Sequence, residues 1–115
     1  MKALVIDDEK SLLKLLEIGL KEVHYEVISA ENGKKGLELF QTSAPDAIVC
    51  DLGLPDIDGI EVLKRIRQLN GDIPVIMITA HGSVQTAISA MKLGAYDYVE
   101  KPFDCLLYTS DAADE

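Results

Sequence analysis

Ala47-Ile48-Val49-Cys50-Asp51 sets four apolar residues in a row and closes them with a carboxylate. A strand wetted on one face alternates apolar and polar residues, whereas an unbroken apolar run belongs to a parallel strand covered on both faces. Two other runs have the same character, residues 3–6 and 75–78, and residues 25–28 and 96–99 complete a set of predicted strands. Covered faces require helices, and the intervening segments supply them. Leu12, Leu13, Leu16, Leu20 and Val23 share one helical face, as do Leu37 with Phe40, Ile60 with Leu63 and Ile66, and Val84 with Ala87, Ile88 and Met91. Gly33, Pro45, Gly71, Pro74 and Gly94 punctuate the joints, and Ser83 is placed to cap the helix that starts near Val84.

Strand and helix therefore alternate. With right-handed crossovers, the leading fold is α/β: a doubly wound, flavodoxin-like parallel sheet of five strands in the order 2-1-3-4-5. Ligands in such a sheet sit at the carboxyl ends of the strands, where the strand order reverses. The alternation also predicts a fifth helix after Lys101-Pro102-Phe103-Asp104, but residues 105–115 (CLLYTSDAADE) carry no sustained helical period. That run resembles the translation of a transposase adapter used in preparing sequencing libraries. The expectation is one domain over residues 1–104, with a non-native tail at 105–115 and the final helix missing or replaced.

Composition narrows the function. With 20 Asp plus Glu against 11 Lys plus Arg, the chain has a formal charge of −9 and no clustered basic face, which argues against direct contact with nucleic acid. A hydrophobic content of 48% is too high for disorder, yet no apolar run approaches the roughly 20 residues that span a bilayer. Met1 leads straight into a strand without a basic leader or cleavage site, so the expected location is the cytoplasm. Cys50 and Cys105 fit neither a zinc site nor a disulfide framework and read as inert packing residues.

The polar residues at the strand ends carry the chemistry. Asp7 and Asp8 follow the first strand, Asp51 the third, Thr79 the fourth and Lys101 the fifth, so all five face one pocket. Carboxylates crowded in this way repel one another unless a cation neutralises them, and an all-oxygen set suits a hard divalent ion such as Mg2+. Lysine and a hydroxyl beside them suit the oxygens of a transferring phosphoryl group, and an aspartate can itself be the nucleophile. Taken singly, each residue has a plainer reading. Asp7-Asp8 could be an acidic helix start favoured by the helix dipole, the role that Glu9 also fits. Asp51 could close a turn, Lys101 could be a surface cation, Thr79 could be an ordinary strand residue and Tyr98 a half-buried strand aromatic. His81 reads as a loop residue, Gly59 as a structural glycine beside Pro55 and Asp58, and Lys64, Arg65 and Arg67 as a solvated face. For Asp7, Asp8, Asp51, Thr79 and Lys101, joint placement on strand ends outweighs the plain readings.

Val5-Ile6-Asp7-Asp8-Glu9, Asp51-Leu52-Gly53-Leu54-Pro55 with Asp58-Gly59, Thr79-Ala80 and Lys101-Pro102-Phe103 resemble the signature motifs of response-regulator receiver domains, whose fold is the CheY-like form of this sheet. The resemblance covers residues 1–104. It implies that Asp51 accepts a phosphoryl group from a sensor histidine kinase. It also implies that Asp7, Asp8, Asp51 and the backbone carbonyl of Gly53 hold Mg2+, that Thr79 and Lys101 contact the phosphoryl oxygens, and that Tyr98 is an aromatic switch coupled to Thr79. The stretches 79–83 and 90–98 are most similar to receivers of NtrC-type transcription activators. On that reading, phosphorylation alters the face of the fourth helix and fifth strand, which controls an output domain outside this chain or a homodimer. Such a domain is a signalling module and catalyses only its own phosphorylation and dephosphorylation.

Two other classes fit less well. A phosphatase with an aspartate nucleophile wants an acid/base two residues further on, where this chain has Gly53. A flavin-binding relative of the fold wants small and hydroxyl residues after the first strand, where Asp7-Asp8-Glu9 would repel phosphate. A pure interaction module would not need Asp51 and Lys101.

Overall fold

Each predicted strand forms within two residues of its expected bounds. A computed structural model describes residues 1–79 and 84–100. The elements run β1 (Lys2–Ile6), α1 (Lys10–Glu22), β2 (Glu26–Ala30), α2 (Gly33–Ser43), β3 (Ala47–Asp51), α3 (Gly59–Leu69), β4 (Val75–Thr79), α4 (Val84–Lys92) and β5 (Asp97–Glu100). The five strands are all parallel, in the order β2-β1-β3-β4-β5. The central three are the continuously apolar runs. Leu4, Val5, Ile6, Ile48, Cys50, Val75, Met77 and Ile78 are wholly buried, while the edge strands β2 and β5 keep polar residues in water. The predicted fifth helix, the tail 105–115, the Ser83 cap and the positions of His81 and Lys101 lie outside the described residues.

Alternation along a strand sends Leu4 and Ile6 to one face and Ala3 and Val5 to the other. On the first face Leu37 and Phe40 of α2, Val62, Leu63 and Ile66 of α3 and Ala90 of α4 close over Leu4, Ile6, Ile48, Cys50, Val75 and Met77. Leu12 and Leu13 of α1 are buried apart from that cluster, and α1 lies against β1 and β2, as right-handed crossovers require of a helix on the opposite face.

Two expectations from helical period do not hold, and one from charge pattern is incomplete. Val23 is 60% exposed, because α1 stops at Glu22 and the chain turns through His24 at φ +69°. Ile88 and Met91 are each 48% exposed, because α4 approaches its neighbours through small side chains, with Ala90 buried and Ala87 half-buried. Arg67 stays in reach of water but is also tied down. Its guanidinium donates to the Gly94 carbonyl from Nε at 3.0 Å and from the terminal Nη2 at 2.6 Å, tying α3 to the turn before β5.

Candidate functional site

The site forms where the strand order reverses, at the carboxyl ends of β1 and β3. Asp7 directly follows β1, and its N–H donates to the Ala30 carbonyl at 3.0 Å, so the β1–β2 ladder extends one residue into the site. Its Oδ1 accepts from the Glu9 N–H at 2.9 Å, which turns the chain into α1 and leaves Asp8 exposed at the mouth. Glu9 stands at the N-cap of α1 but makes no side-chain capping bond, so Asp7 shapes this helix start. Asp51 is the last residue of β3. Its Oδ1 accepts from the Gly53 N–H at 3.2 Å, while the next peptide is pinned by the Leu52 N–H donating to the Ile78 carbonyl at 2.8 Å.

Asp7 and Asp51 are buried, at 0% and 4% exposure, beneath the exposed Asp8. Carboxylate oxygens of the three lie within 4.8 Å of one another, the one cluster among the described residues able to hold a metal ion. The donor set fits a hard divalent cation: all its ligand atoms are oxygens, and two of the carboxylates are withdrawn from water. Thr79 closes β4 beside them, 6% exposed, and pairs in register with Glu100 of β5, directly before Lys101 in the chain. Tyr98 is half-buried, and its hydroxyl stands 3.2 Å from Thr86 Oγ1 of α4.

The buried Cys50 lies one residue from this cluster. Burial, then the charges of Asp51, Asp7 and Asp58, push its thiol far above the ordinary range, so no thiolate forms near neutral pH. Iodoacetamide should leave Cys50 unmodified in the native protein and alkylate it after unfolding, as read by peptide mass mapping. Native alkylation at the rate of a free thiol would show the residue to be accessible.

A family model described as "Response regulator receiver domain" matches residues 3–106. The chain belongs to this family. Among curated relatives, this receiver domain is 43% identical over 102 residues to the alkaline phosphatase synthesis transcriptional regulatory protein PhoP of Bacillus subtilis, covering 89% of the chain and 42% of that protein. It is 39% identical over 103 residues to the regulatory protein AtoC of Escherichia coli, covering 90% of the chain and 22% of that protein. AtoC accords with the NtrC-type likeness, though identity does not rank it above PhoP. The receiver spans about two fifths of the length of the first curated relatives it matches. Among solved structures it superposes on a response regulator from Burkholderia pseudomallei containing a phosphorylated aspartic acid, a calcium ion and citrate. The TM-score is 0.82 at 32% identity, covering 88% of this chain and 59% of that one.

Sequence reasoning named Asp7, Asp8, Asp51 and Thr79, and the fold brings them together. It missed Asp56, whose carboxylate spans to the start of α2, accepting from the Gly33 N–H at 2.8 Å and the Lys34 N–H at 2.9 Å. No local signal marks that pairing, because its partners lie more than twenty positions earlier in the chain. Among the described residues, no helix is long and apolar enough to cross a membrane.

Proposed function

We propose that this receiver takes a phosphoryl group on Asp51 from the phosphohistidine of a sensor histidine kinase. The observation that carries this reading is the meeting of Asp7, Asp8 and Asp51 within 4.8 Å at the switch point of the sheet. An Asp51 carboxylate oxygen forms the new O–P bond as the P–N bond of the donor breaks, and that bond's electron pair leaves on the imidazole nitrogen. Asp7, Asp8, Asp51 and the Gly53 carbonyl would hold Mg2+, which supplies neutralising charge for the incoming phosphoryl oxygens. The Gly53 N–H orients Asp51, the Thr79 hydroxyl donates to one phosphoryl oxygen, and Lys101 pairs with another. Water later hydrolyses the acyl phosphate. The domain therefore catalyses its own phosphorylation and dephosphorylation and no other turnover.

New charge at Asp51 draws Thr79 inward, and Tyr98, now against Thr86, follows as the switch. The exposed Ile88, Met91 and Tyr96 support a readout through the α4/β5 face, by homodimer formation or by release of an output domain outside residues 1–104. That output is a transcription activator, while the receiver itself makes no direct contact with nucleic acid and works in the cytoplasm, and residues 105–115 are a non-native tail in place of its fifth helix. The aspartyl phosphate and bound cation of the Burkholderia protein support the same chemistry here.

The test is intact-protein mass after incubation with a small phospho-donor. One phosphoryl mass unit should be gained with Mg2+, none with chelator present, and the adduct should be labile to base. A well-folded protein that gains nothing under any condition would sink the phospho-acceptor reading.

A further inference from the structure

Residues 52–58 join β3 to α3 and carry Gly53, whose carbonyl the proposed function assigns to the cation. A carbonyl on a loop is a useful ligand only when the loop is held. Backbone bonds hold this one at its ends: the Leu52 N–H donates to the Ile78 carbonyl at 2.8 Å, and the Gly59 N–H to the Leu52 carbonyl at 3.0 Å. The Asp58 side chain then starts α3 by accepting from the Ile60 N–H at 2.9 Å. The Gly53 N–H also donates to Asp51 Oδ1 at 3.2 Å, but none of these bonds reaches residues 54–57.

Asp56 does. The first N–H groups of a helix have no partner within the helix and carry its positive end. In α2 the third of them, on Lys35, donates to the Asn32 side chain at 2.8 Å. The first two, on Gly33 and Lys34, donate at 2.8 and 2.9 Å to separate oxygens of Asp56, so both arms of one carboxylate are engaged. A two-point bond fixes direction as well as distance. Slight desolvation would raise the carboxyl of this exposed residue, but the N–H groups of Lys34 and Gly33, with those of Ile57 and Asp56 itself, outweigh that and hold it below the usual carboxylate range. The helix also closes tightly on the loop. A Cβ on Gly33 would stand 3.1 Å from Val62 Cγ2, 3.2 Å from Ile57 Cβ and 3.4 Å from Asp56 Oδ1.

We propose that Asp56 is a positioning residue for the metal site: its carboxylate clamps the 52–58 loop onto the N-terminus of α2 and thereby sets the Gly53 carbonyl for a divalent cation that Asp56 itself does not touch. This rests on the reading of Asp7, Asp8 and Asp51 as the metal's carboxylates. A helix cap that served only α2 would be felt in stability. A clamp on the loop is felt in cation affinity as well.

The experiment is Mg2+ titration by calorimetry on the full chain and on D56A, D56N and N32A, with thermal melts of each. Asn32→Ala removes a cap from α2 and leaves the clamp in place. Asp56→Ala should raise the Mg2+ Kd about tenfold, the lower end for residues that orient a ligand from behind. Asp56→Asn should fall between, since an amide oxygen can take one N–H but its NH2 faces the other. Asn32→Ala should lower the melting temperature with Kd near that of wild type. Amide exchange at residues 53–57 should quicken in D56A and D56N alone. Wild-type Kd in D56A, or an equal rise in N32A, would overturn the clamp, and D56N carries the test should D56A fail to fold. Absence of Mg2+ binding in the wild type would overturn the metal reading and the clamp together, whereas normal wild-type binding with no change in D56A sinks the clamp alone.

Discussion

Asp51→Asn gains no phosphoryl group from a small donor under conditions that saturate the wild type, because the substitution removes the attacking carboxylate and, with it, one of the three charges that would hold the cation. The amide keeps the shape of the side chain and an oxygen for the Gly53 N–H that now reaches Asp51 Oδ1 at 3.2 Å. It lacks the charge and nucleophilicity to form an acyl phosphate. Asp7→Asn and Asp8→Asn leave the acceptor intact and should slow the reaction by about 10²-fold or more, as expected when charge stabilisation of the transferring group is lost. Removing one of three mutually repelling carboxylates should also leave Asp51→Asn at least as heat-stable as the wild type in chelator. Saturating Mg2+ should raise the melting temperature of the wild type more than that of the variant, since binding to the native state stabilises it by mass action. Intact mass and melting curves on the same samples check both halves. An Asp51→Asn protein phosphorylated to the wild-type extent would move the acceptor elsewhere.

The parts of the site legible in the sequence are those set by strand ends. Asp7, Asp51 and Thr79 can be placed because each follows a run of apolar residues whose continuity marks it as a covered parallel strand, and such strands end in a common plane. Lys101 follows the mixed run 96–99 and Glu100, so only the alternation of strand and helix places it, and its position lies outside the described residues. What stayed hidden depends on which elements meet. Helical period puts Ile88 and Met91 on an apolar stripe but cannot say that α4 docks through Ala90 instead. Charge pattern gives Arg67 to solvent, although it folds back onto the Gly94 carbonyl, 27 residues away in sequence. Asp56 reads as a loop acid until α2 is brought against it. The contact of Tyr98 with Thr86 likewise depends on how α4 lies across β5.

Gly59→Ala is expected to be among the most destabilising single-methyl additions in the chain. A Cβ at this first residue of α3 would collide with the carbonyl oxygen of Asp51 and stand 2.6 Å from Leu52 Cα. Both obstacles are backbone, so no side chain can swing aside. They are also the backbone of the acceptor itself and of the residue after it. Relief must therefore come from moving α3 off the end of β3, which strains the Gly59 N–H bond to the Leu52 carbonyl. Overpacking of this kind costs about 3 kcal/mol at the upper end of the ordinary range, which in a domain of this size lowers the melting temperature by roughly 10 °C. Gly19→Ala supplies a control of opposite sign: nothing lies within 4 Å of its Cβ on the exposed side of α1, so replacing a mid-helix glycine there should stabilise by about 0.5–1 kcal/mol. If Gly59→Ala melts with the wild type, α3 is not seated against Asp51 as closely as described. If it melts early and also loses Mg2+ affinity measured well below its melting point, the close seat of α3 both stabilises the fold and aims the acceptor, and glycine at this position is as much a part of the phosphorylation site as the carboxylates it supports.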